Sequence, residues 1–282
     1  MLNVLILAGG VGKRLFPIST TQKPKQFLQL VSEKTMLQIT FERINKLVPL
    51  NNIFICTNID YIHYIKEQIP NFKEENIIAE PQNKNTMAAI TLSSFVINQE
   101  NPNSNILVIP SDHMIDNFSE FEKIIKQGNN FLNKDNEKIL TFGIKPNSPS
   151  INYGYIKYDI DNDETICKVK CFKEKPDLEL ATKYIKSKEY LWNSGMIMSN
   201  ITTLLQEIKK YNSTMYKTFD KIKNHKDMID FNNYLKEKYP LLESISIDYS
   251  LLEKSKNIYV VYSDLKWKDI GSFEILNSYL NS

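Results

Sequence analysis

A glycine-rich segment with two cations lies near the start of the chain. An apolar run at residues 2–7 leads directly into AGGVGKR (8–14). Glycines have no Cβ, so the backbone N–H groups of such a turn can approach a phosphate closely. Lysine and arginine side chains then neutralise the anion, and arginine does so through two parallel hydrogen bonds. The segment therefore predicts a site for a phosphate-bearing ligand; a tight strand-to-loop connection is the alternative.

Two well-known phosphate loops do not match this segment. A dinucleotide fingerprint G-x-G-x-x-G aligned on Gly10 and Gly12 requires glycine where Leu15 stands. A Walker A loop that ends in Gly12-Lys13 requires serine or threonine at the next position, which is Arg14. The sequence therefore argues against both a dinucleotide-dependent oxidoreductase and a P-loop enzyme.

Three aspartates are candidates for metal binding. Asp112 follows an apolar run at 106–109, and a carboxylate at the end of a buried strand opposite a phosphate loop suits Mg²⁺. A turn or helix-cap aspartate is the alternative. Asp248 and Asp269 lie beside apolar or aromatic residues, so each is either a second acidic ligand or a helix cap. We expect His113 to pack or to form hydrogen bonds rather than to act as a general base.

Three other short segments combine charged or polar groups with apolar surroundings. Pro24 restrains the backbone next to Lys25, so this lysine is either aimed at a phosphate or part of an exposed basic turn. Glu174-Lys175 offers a hydroxyl acceptor beside a cation, as a sugar phosphate requires, although a surface ion pair is the alternative. Asn193 interrupts an apolar strand, which indicates a ligand-facing surface or a bulge.

The spacing of apolar runs predicts an α/β fold with a mixed but mostly parallel sheet and helices on both faces. Ligands then bind at the carboxyl ends of the strands. A turn at Asp161-Asn162-Asp163 is expected to join two strands of the second half. We predict strands at 2–7, 53–57, 76–79, 105–109, 138–142, 153–159, 166–172, 192–199 and 258–262. We predict helices at 35–48, 59–69, 85–98, 118–132 and 177–187, and further helix across 201–238.

Composition limits the class of protein. The chain has 282 residues and a formal net charge of +2, which argues against a dedicated nucleic-acid or membrane-surface partner. No run approaches the roughly 20 apolar residues of a membrane span. Its three cysteines form neither a disulfide framework nor a zinc motif. We therefore expect a cytoplasmic protein with one continuous domain over residues 1–282.

Taken together and in this order, these segments resemble the mannose-1-phosphate guanylyltransferases, within the broader sugar nucleotidyltransferase family. The resemblance covers nearly the whole chain. The matching segments are LAGGVGKRLFP (7–17), KPKQFL (23–28), EPQNKNTMAAI (80–90), PSDHMI (110–115), FGIKPNSPSINYGYI (142–156), FKEKPD (172–177), LWNSGM (191–196), SIDYSLLEK (246–254) and WKDIGSF (267–273).

The resemblance implies a Rossmann-like core and a specific reaction. That reaction is transfer of a nucleoside monophosphate from an NTP to a sugar 1-phosphate, with release of pyrophosphate. GTP and mannose 1-phosphate are the implied substrates, and Mg²⁺ is the implied cofactor. A homodimer stays open. Dimerisation through the β-helical tail that family members usually carry is not expected here, and neither is the isomerase domain of the long bifunctional members.

The resemblance also implies roles for individual residues. Arg14, Lys25 and Asp112 are the implied catalytic residues, and Asp112 and Asp269 are the implied Mg²⁺ ligands. The implied nucleotide-binding residues are Leu7, Ala8, Gly9, Gly10, Gly12, Lys13, Arg14, Glu80, Asn85, Thr86 and Asp112. The implied sugar-phosphate residues are Lys25, Gly154, Glu174, Lys175 and Asn193.

The sequence departs from the family pattern at three places, of which the first lies in the segment expected near the base. KNTMA (84–88) replaces the usual Arg-Asn-Thr-Ala-Pro, Lys13 replaces threonine or serine, and Phe16 replaces tryptophan. Two alternatives therefore stay open. One is a transferase for another base or for a glucose-type or heptose-type sugar 1-phosphate, and the other is a non-catalytic protein that binds nucleotide sugars.

Overall fold

The structure, a computed structural model, describes residues 1–160, 165–224 and 228–281. The predicted turn at Asp161-Asn162-Asp163 lies outside these described residues. The strands within them are β1 (Leu2–Leu7), β2 (Ile53–Asn58), β3 (Ile77–Glu80), β4 (Asn105–Pro110), β5 (His113–Ile115), β6 (Ile139–Ile144), β7 (Tyr155–Tyr158), β8 (Ile166–Lys173), β9 (Tyr190–Asn200), β10 (Ile258–Ser263) and β11 (Trp267–Asp269).

The helices of the described ranges lie between these strands and after the last of them. They are α1 (Met36–Asn45), α2 (Ile62–Gln68), α3 (Asn85–Glu100), α4 (Phe118–Lys134), α5 (Leu178–Ser187), α6 (Ile201–Tyr211), α7 (Ser213–Asp220), α8 (Met228–Lys238) and α9 (Phe273–Leu280). A short π-helix spans Asp248–Leu252. Within the described ranges, every helix is too short or too polar to cross a membrane.

A nine-stranded sheet forms the centre of the fold, in the order β3-β2-β1-β4-β9-β6-β10-β8-β7. The predicted α/β class with a mixed sheet is confirmed. The prediction that the sheet is mostly parallel is wrong, because among the strand pairs of the described residues only β3-β2, β2-β1, β1-β4 and β6-β10 are parallel. Strand β9 runs antiparallel between β4 and β6, and the β7–β8 connection is too short for a parallel crossover.

Apolar side chains alternate along the central strands, so the sheet has a core on each face. In β1, Val4 and Ile6 pack with α1, α2 and α4, whereas Leu5 packs on the opposite face with α3, α6 and α7. All three side chains are fully buried. The prediction of helices on both faces is confirmed, and the buried central strands leave their ends as the surface available for ligands.

Several predicted elements have different bounds in the structure. The helical stretches predicted across 201–238 are α6, α7 and α8, and the division after α6 occurs at Asn212. The Asn212 side chain accepts a hydrogen bond of 3.2 Å from the backbone N–H of Met215, so it caps α7. The two-stranded ribbon of β5 and β11 and the helix α9 were not predicted.

Helix α1 begins at a capping box. The Thr35 side chain accepts a hydrogen bond of 3.2 Å from the Gln38 N–H, and the Gln38 side-chain oxygen accepts one of 2.9 Å from the Thr35 N–H. This reciprocal pair satisfies two backbone donors that the helix itself leaves open. It also fixes where α1 starts, and therefore which of its residues face the carboxyl ends of β1 and β4.

Gly143 in β6 leaves room for side chains of the two neighbouring strands, β9 and β10. A Cβ at Gly143 would lie 2.6 Å from Leu191 Cδ1 of β9 and 2.7 Å from Val260 Cγ2 of β10. We expect Gly143→Ala to lower the free energy of unfolding by about 1–3 kcal/mol, the usual cost of overpacking a core. Gly10→Ala is the control, because a Cβ at Gly10 would have no atom within 4 Å. Urea unfolding of both variants tests this, and equal midpoints would contradict it.

Candidate active site

The glycine-rich segment and the Asp112 segment leave the sheet side by side. Leu7 at the end of β1 pairs with Pro110 at the end of β4, and these strands are parallel. The Ser111 N–H donates a hydrogen bond of 3.1 Å to the Leu7 carbonyl, just beyond the last strand residues. The two segments therefore diverge from one point at the carboxyl edge of the sheet, where α/β folds bind ligands.

In the glycine-rich segment, Gly9 and Gly12 allow close packing against other side chains, whereas Gly10 has free space beside it. Gly12 has a φ of +69°, and a Cβ there would lie 2.8 Å from Lys25 Cγ. A Cβ at Gly9 would lie 2.9 Å from Glu80 Oε2, whereas one at Gly10 would meet no atom within 4 Å. Gly12 and Gly9 thus bring the loop against Lys25 and Glu80, and the backbone at Gly10 stays open to a ligand.

Lys25 is buried between two carboxylates. Its ammonium forms an ion pair with Asp112, lies 3.7 Å from Asp269 Oδ1 and donates a hydrogen bond of 3.4 Å to the Ile270 carbonyl. Burial alone lowers the pKa of Lys25, but the two carboxylates outweigh burial and raise the pKa above its usual value. Lys25 is therefore held in its charged form at the centre of the site.

The β5–β11 ribbon brings Asp269 to Asp112 across a long stretch of chain. Asp269 pairs with His113 in the ribbon, and the Ile270 N–H donates a hydrogen bond of 3.3 Å to the Asp112 carbonyl. One ligand atom each from Asp112, His113 and Asp269 lie within 4.8 Å of one another. Burial alone raises the pKa of Asp112, but the Lys25 ammonium outweighs burial and holds that pKa below its usual value. The Asp112 carboxylate is therefore ionised.

This acidic pair fits a divalent cation. Asp269 Oδ1 is buried and has no hydrogen-bond partner among the described residues. A buried carboxylate oxygen without a hydrogen bond is costly, and a cation would satisfy it. Carboxylate oxygens are the preferred protein ligands of Mg²⁺. The donor set of Asp112 and Asp269 is therefore suited to Mg²⁺, with His113 at its edge.

Arg14 lies beside the same acidic pair. A Cβ at Gly271 would be 2.7 Å from Arg14 Nη2 and 3.3 Å from Asp269 Oδ1, so all three groups border one small space. Overall, Arg14 is an exposed residue. The guanidinium can thus contact an anionic ligand without leaving the neighbourhood of Asp269. Lys13, by contrast, does not line the cavity described next.

A cavity of about 370 Å³ opens beside the glycine segment. At its wall, Asn85 has a φ of +66°, a conformation that asparagine tolerates better than most residues. The Asn85 side-chain oxygen accepts a hydrogen bond of 2.8 Å from the Thr86 N–H, and Asn83 donates one of 3.2 Å to the Gly9 carbonyl. The lining residues are Leu7, Gly9, Gly10, Cys56, Glu80, Asn83, Asn85, Thr86, Ala89, Pro110, Asp112 and Ser244.

Glu80 is a buried carboxyl group in the wall of this cavity. It accepts a hydrogen bond from the Tyr239 hydroxyl through Oε1, and its Oε2 lies next to Gly9. Burial raises the pKa of Glu80 to about 7, although hydrogen bonds from Tyr239 and Cys56 favour the ionised form. The cavity thus contains an acceptor whose charge changes near neutral pH.

A second polar cluster lies at the turn before β7 and in the adjoining part of β9. The Asn193 N–H donates a hydrogen bond of 2.8 Å to the Gly154 carbonyl, and its side-chain amide donates one of 2.9 Å to Asp248. A Cβ at Gly154 would lie 3.1 Å from Glu174 Oε2. Glu174 also forms a 2.8 Å ion pair with Lys175. Four of the residues predicted to bind a sugar phosphate are therefore brought together, with Asp248 added to them.

Aromatic side chains connect the two clusters. The Tyr153 ring lies 5.0 Å from that of Trp192 and 4.9 Å from that of Trp267, measured between centroids. Trp267 in turn packs edge-on against His113, at 5.2 Å. Burial raises the pKa of Tyr153 to about 12, so its hydroxyl remains protonated. These rings fix the distance between the acidic pair and the Asn193 cluster.

Sequence reasoning missed some residues of the site. His113 packs against Trp267, as expected, and what the sequence did not indicate is its place in the acidic cluster as the β-ribbon partner of Asp269. Asn83 and Tyr239 were not singled out, although Asn83 belongs to the quoted EPQNKNTMAAI segment. For Tyr239 the sequence carries no such signal, because its contact with Glu80 joins residues that are 159 positions apart.

A family model described as "Nucleotidyl transferase" matches residues 3–281. The chain therefore belongs to the nucleotidyl transferase family. An Escherichia coli protein named mannose-1-phosphate guanylyltransferase is 36% identical to it over 282 residues, covering 96% of this chain and 60% of that protein. The chain thus spans about 60% of the length of the curated relatives it matches.

Two solved structures are similar over most of the chain. One, from Thermus thermophilus, is described as a mannose-1-phosphate geranyltransferase; its TM-score is 0.88 at 26% identity, covering 100% of this chain and 79% of that one. The other, from Helicobacter pylori, is described as a mannose-6-phosphate isomerase; its TM-score is 0.74 at 27% identity, covering 95% of this chain and 99% of that one.

The position of Lys25 between the two carboxylates should weaken cation binding to the free protein. Its ammonium competes with any cation for Asp112 and Asp269, and a unit charge at about 4 Å contributes roughly 1–4 kcal/mol at effective dielectric constants of about 80 to 20. We therefore expect Lys25→Met to raise the affinity of the free protein for Mn²⁺ by about tenfold. The exposed Lys23→Met is the control. Electron paramagnetic resonance titration with Mn²⁺ measures this, and weaker binding by Lys25→Met would refute it.

Proposed function

We propose that this protein transfers GMP from GTP to mannose 1-phosphate, which yields GDP-mannose and pyrophosphate. The observation that carries the proposal is the convergence of Arg14, Lys25, Asp112 and Asp269 beside a glycine-rich loop. Asp112 of this group lines a cavity with space for a nucleoside, and the rings of Tyr153, Trp192 and Trp267 connect the group to the Asn193 cluster. The name of the Escherichia coli relative supports the choice of guanine and mannose.

The proposed reaction needs positioning and charge neutralisation rather than proton abstraction. A phosphate oxygen of the sugar 1-phosphate forms a bond to the α-phosphorus of GTP, and the bond from that phosphorus to the bridging oxygen of pyrophosphate breaks. The second pKa of a phosphate monoester is about 6, so the attacking group is already largely dianionic at neutral pH. Arg14 and Lys25 neutralise the charge that accumulates on the phosphorus oxygens.

Asp112 and Asp269 are the proposed Mg²⁺ ligands. When bound, Mg²⁺ supplies positive charge to the phosphate oxygens and orients them. The chain's own contribution is to hold the two carboxylates together through the β5–β11 ribbon and to keep Lys25 beside them. The Gly154, Glu174, Lys175 and Asn193 cluster is the proposed sugar-phosphate site, and the cavity lined by Glu80, Asn85 and Thr86 is the proposed nucleoside site.

Further proposals concern the molecule as a whole. We propose that residues 1–282 act as one catalytic domain, in which the strands β3-β2-β1-β4 form a Rossmann-like nucleotide-binding half. We propose that it works in the cytoplasm, where nucleotide and sugar phosphate are available. A homodimer is compatible with this reaction but not required by it, since the residues proposed to act all come from one chain.

A second candidate is a transferase for another base or sugar. It is favoured by Lys84, which lies next to the proposed nucleoside site and donates a hydrogen bond of 2.6 Å to the Pro240 carbonyl. The Lys84 side chain therefore holds the segment that follows α8 instead of remaining available to a ligand. A panel of the other nucleoside triphosphates with glucose 1-phosphate and heptose 1-phosphate separates this candidate from the first.

The reaction and the role of Asp112 are tested together. Pyrophosphate release should require GTP, mannose 1-phosphate and Mg²⁺, each omitted in turn. We expect Asp112→Asn to lower kcat by about a hundredfold or more, because charge neutralisation at the phosphates is the main catalytic effect. Asp135→Asn, at the opposite edge of the sheet after α4, is the control. Near-normal turnover by a folded Asp112→Asn protein would contradict the proposal that Asp112 is a Mg²⁺ ligand.

The raised pKa of Glu80 predicts a pH dependence of nucleotide binding. An ionised carboxylate accepts two hydrogen bonds from the N1 and N2 donors of guanine, and protonation removes one of these acceptors. Since the pKa of Glu80 is about 7, the protonated fraction grows below that pH, and we expect GTP affinity to fall there. In Glu80→Gln this component should vanish, which leaves only the ionisation of GTP itself. Isothermal titration calorimetry measures the GTP affinity of both proteins as a function of pH. Superimposable profiles for the unaltered protein and Glu80→Gln would argue against a contact between Glu80 and the base.

A further inference from the structure

Two side chains of α1 bind the backbone on both sides of Asp112. Thr40 Oγ1 donates a hydrogen bond of 3.2 Å to the Ser111 carbonyl, and Arg43 Nη2 donates one of 3.0 Å to the His113 carbonyl. Arg43 Nη2 also donates a hydrogen bond of 3.1 Å to Thr40 Oγ1, which links the two contacts. Asp112 is thus the residue between two carbonyl groups that one helix holds.

This segment has few other attachments to the sheet. β5 is three residues long and pairs with β11, outside the nine-stranded sheet. Ser111 is joined to β1 through its N–H, but its carbonyl is bound by Thr40. The hydrogen bonds from α1, together with the one that the Asp112 carbonyl accepts from the Ile270 N–H, restrain the backbone on either side of the Asp112 Cα, and this backbone sets the direction of its side chain.

Burial of Arg43 is unfavourable on its own. The residue is 6% exposed, its Nε atom has no hydrogen-bond partner among the described residues, and burial lowers the pKa of Arg43 to about 10. The Phe121 ring, 5.6 Å from the guanidinium carbon, and the nearby Asp116 offset only part of this cost. A buried charge with incomplete hydrogen bonding is weak evidence for stability, whereas fixing a geometry is a known use of such groups.

We propose that Arg43 and Thr40 are positioning residues, which orient the Asp112 carboxylate toward Asp269 by fixing the carbonyl groups of Ser111 and His113. Neither side chain is proposed to touch substrate. The inference rests on the proposed function for its catalytic consequence, but its geometric content concerns only the cation-binding pair. Loss of a group that orients a metal ligand typically costs about 10–100-fold in metal affinity or activity.

The test compares three variants with a matched control. Arg43→Ala removes the guanidinium, Arg43→Lys keeps a charge without the planar donors, and Thr40→Val removes one hydrogen-bond donor at nearly constant volume. Ile44→Ala is the control, because Ile44 is the neighbouring buried residue of α1 and belongs to the apolar core. It should lower stability without moving Asp112.

The first readout is Mn²⁺ binding to the free protein, measured by electron paramagnetic resonance. We expect Arg43→Ala to weaken Mn²⁺ binding about tenfold, Thr40→Val to weaken it less, and Ile44→Ala to leave it unchanged. The effects of Arg43→Ala and Thr40→Val should not add in the double variant, since the two side chains are hydrogen-bonded to each other. Added guanidinium should restore binding to Arg43→Ala but not to Thr40→Val.

The second readout is kinetic. In Arg43→Ala, kcat should fall about tenfold while KM for GTP changes less than about twofold, because Glu80, Asn85 and Thr86, the proposed nucleoside residues of the cavity, have no contact with Arg43 within the part of the chain that the structure describes. Unchanged Mn²⁺ affinity in folded Arg43→Ala would overturn the proposal. If Arg43→Ala does not fold, the Mn²⁺ affinities of Arg43→Lys and Thr40→Val test the proposal instead. Absence of pyrophosphate release by the unaltered protein would refute the proposed function, yet the Mn²⁺ titrations would still decide the positioning role.

Discussion

Repulsion between two carboxylates is the constraint on which this site depends. Asp112 and Asp269 come from distant parts of the chain, and their partial burial strengthens the repulsion between their carboxylates. The fold resolves this by placing the Lys25 ammonium between them and by joining their backbones through the β5–β11 ribbon. The glycine at position 12 allows Lys25 to reach that place, because a Cβ there would collide with its side chain.

The same acidic pair organises the rest of the active-site edge. Arg14 approaches it through the space that Gly271 leaves, and Tyr153 and Trp267 connect it to the Asn193 cluster. Asp112 and the glycine segment also line the cavity that contains Glu80. The acidic pair is therefore in contact, directly or through aromatic rings, with both polar clusters of the active-site edge.

The sequence carries the local part of this arrangement and not the long-range part. Strand β1, the glycine turn and Asp112 are encoded by short contiguous patterns, so the carboxyl-edge site was predictable from apolar runs followed by glycine or aspartate. The position of β9 between β4 and β6 depends on pairings between distant strands, and no local pattern specifies their direction. The contacts of Tyr239 with Glu80 and of Arg43 with His113 were unpredictable for the same reason.

The ribbon that unites the acidic pair also sets the order in which the site can come into being. β5 cannot form its pairs until β11 is available, and most of the described chain lies between these two strands. During synthesis, the glycine segment, Lys25 and Asp112 all leave the ribosome well before Asp269 does. Chains still being translated thus hold the phosphate-binding elements without the second carboxylate, and the site becomes complete only after the segment that contains β11 has emerged.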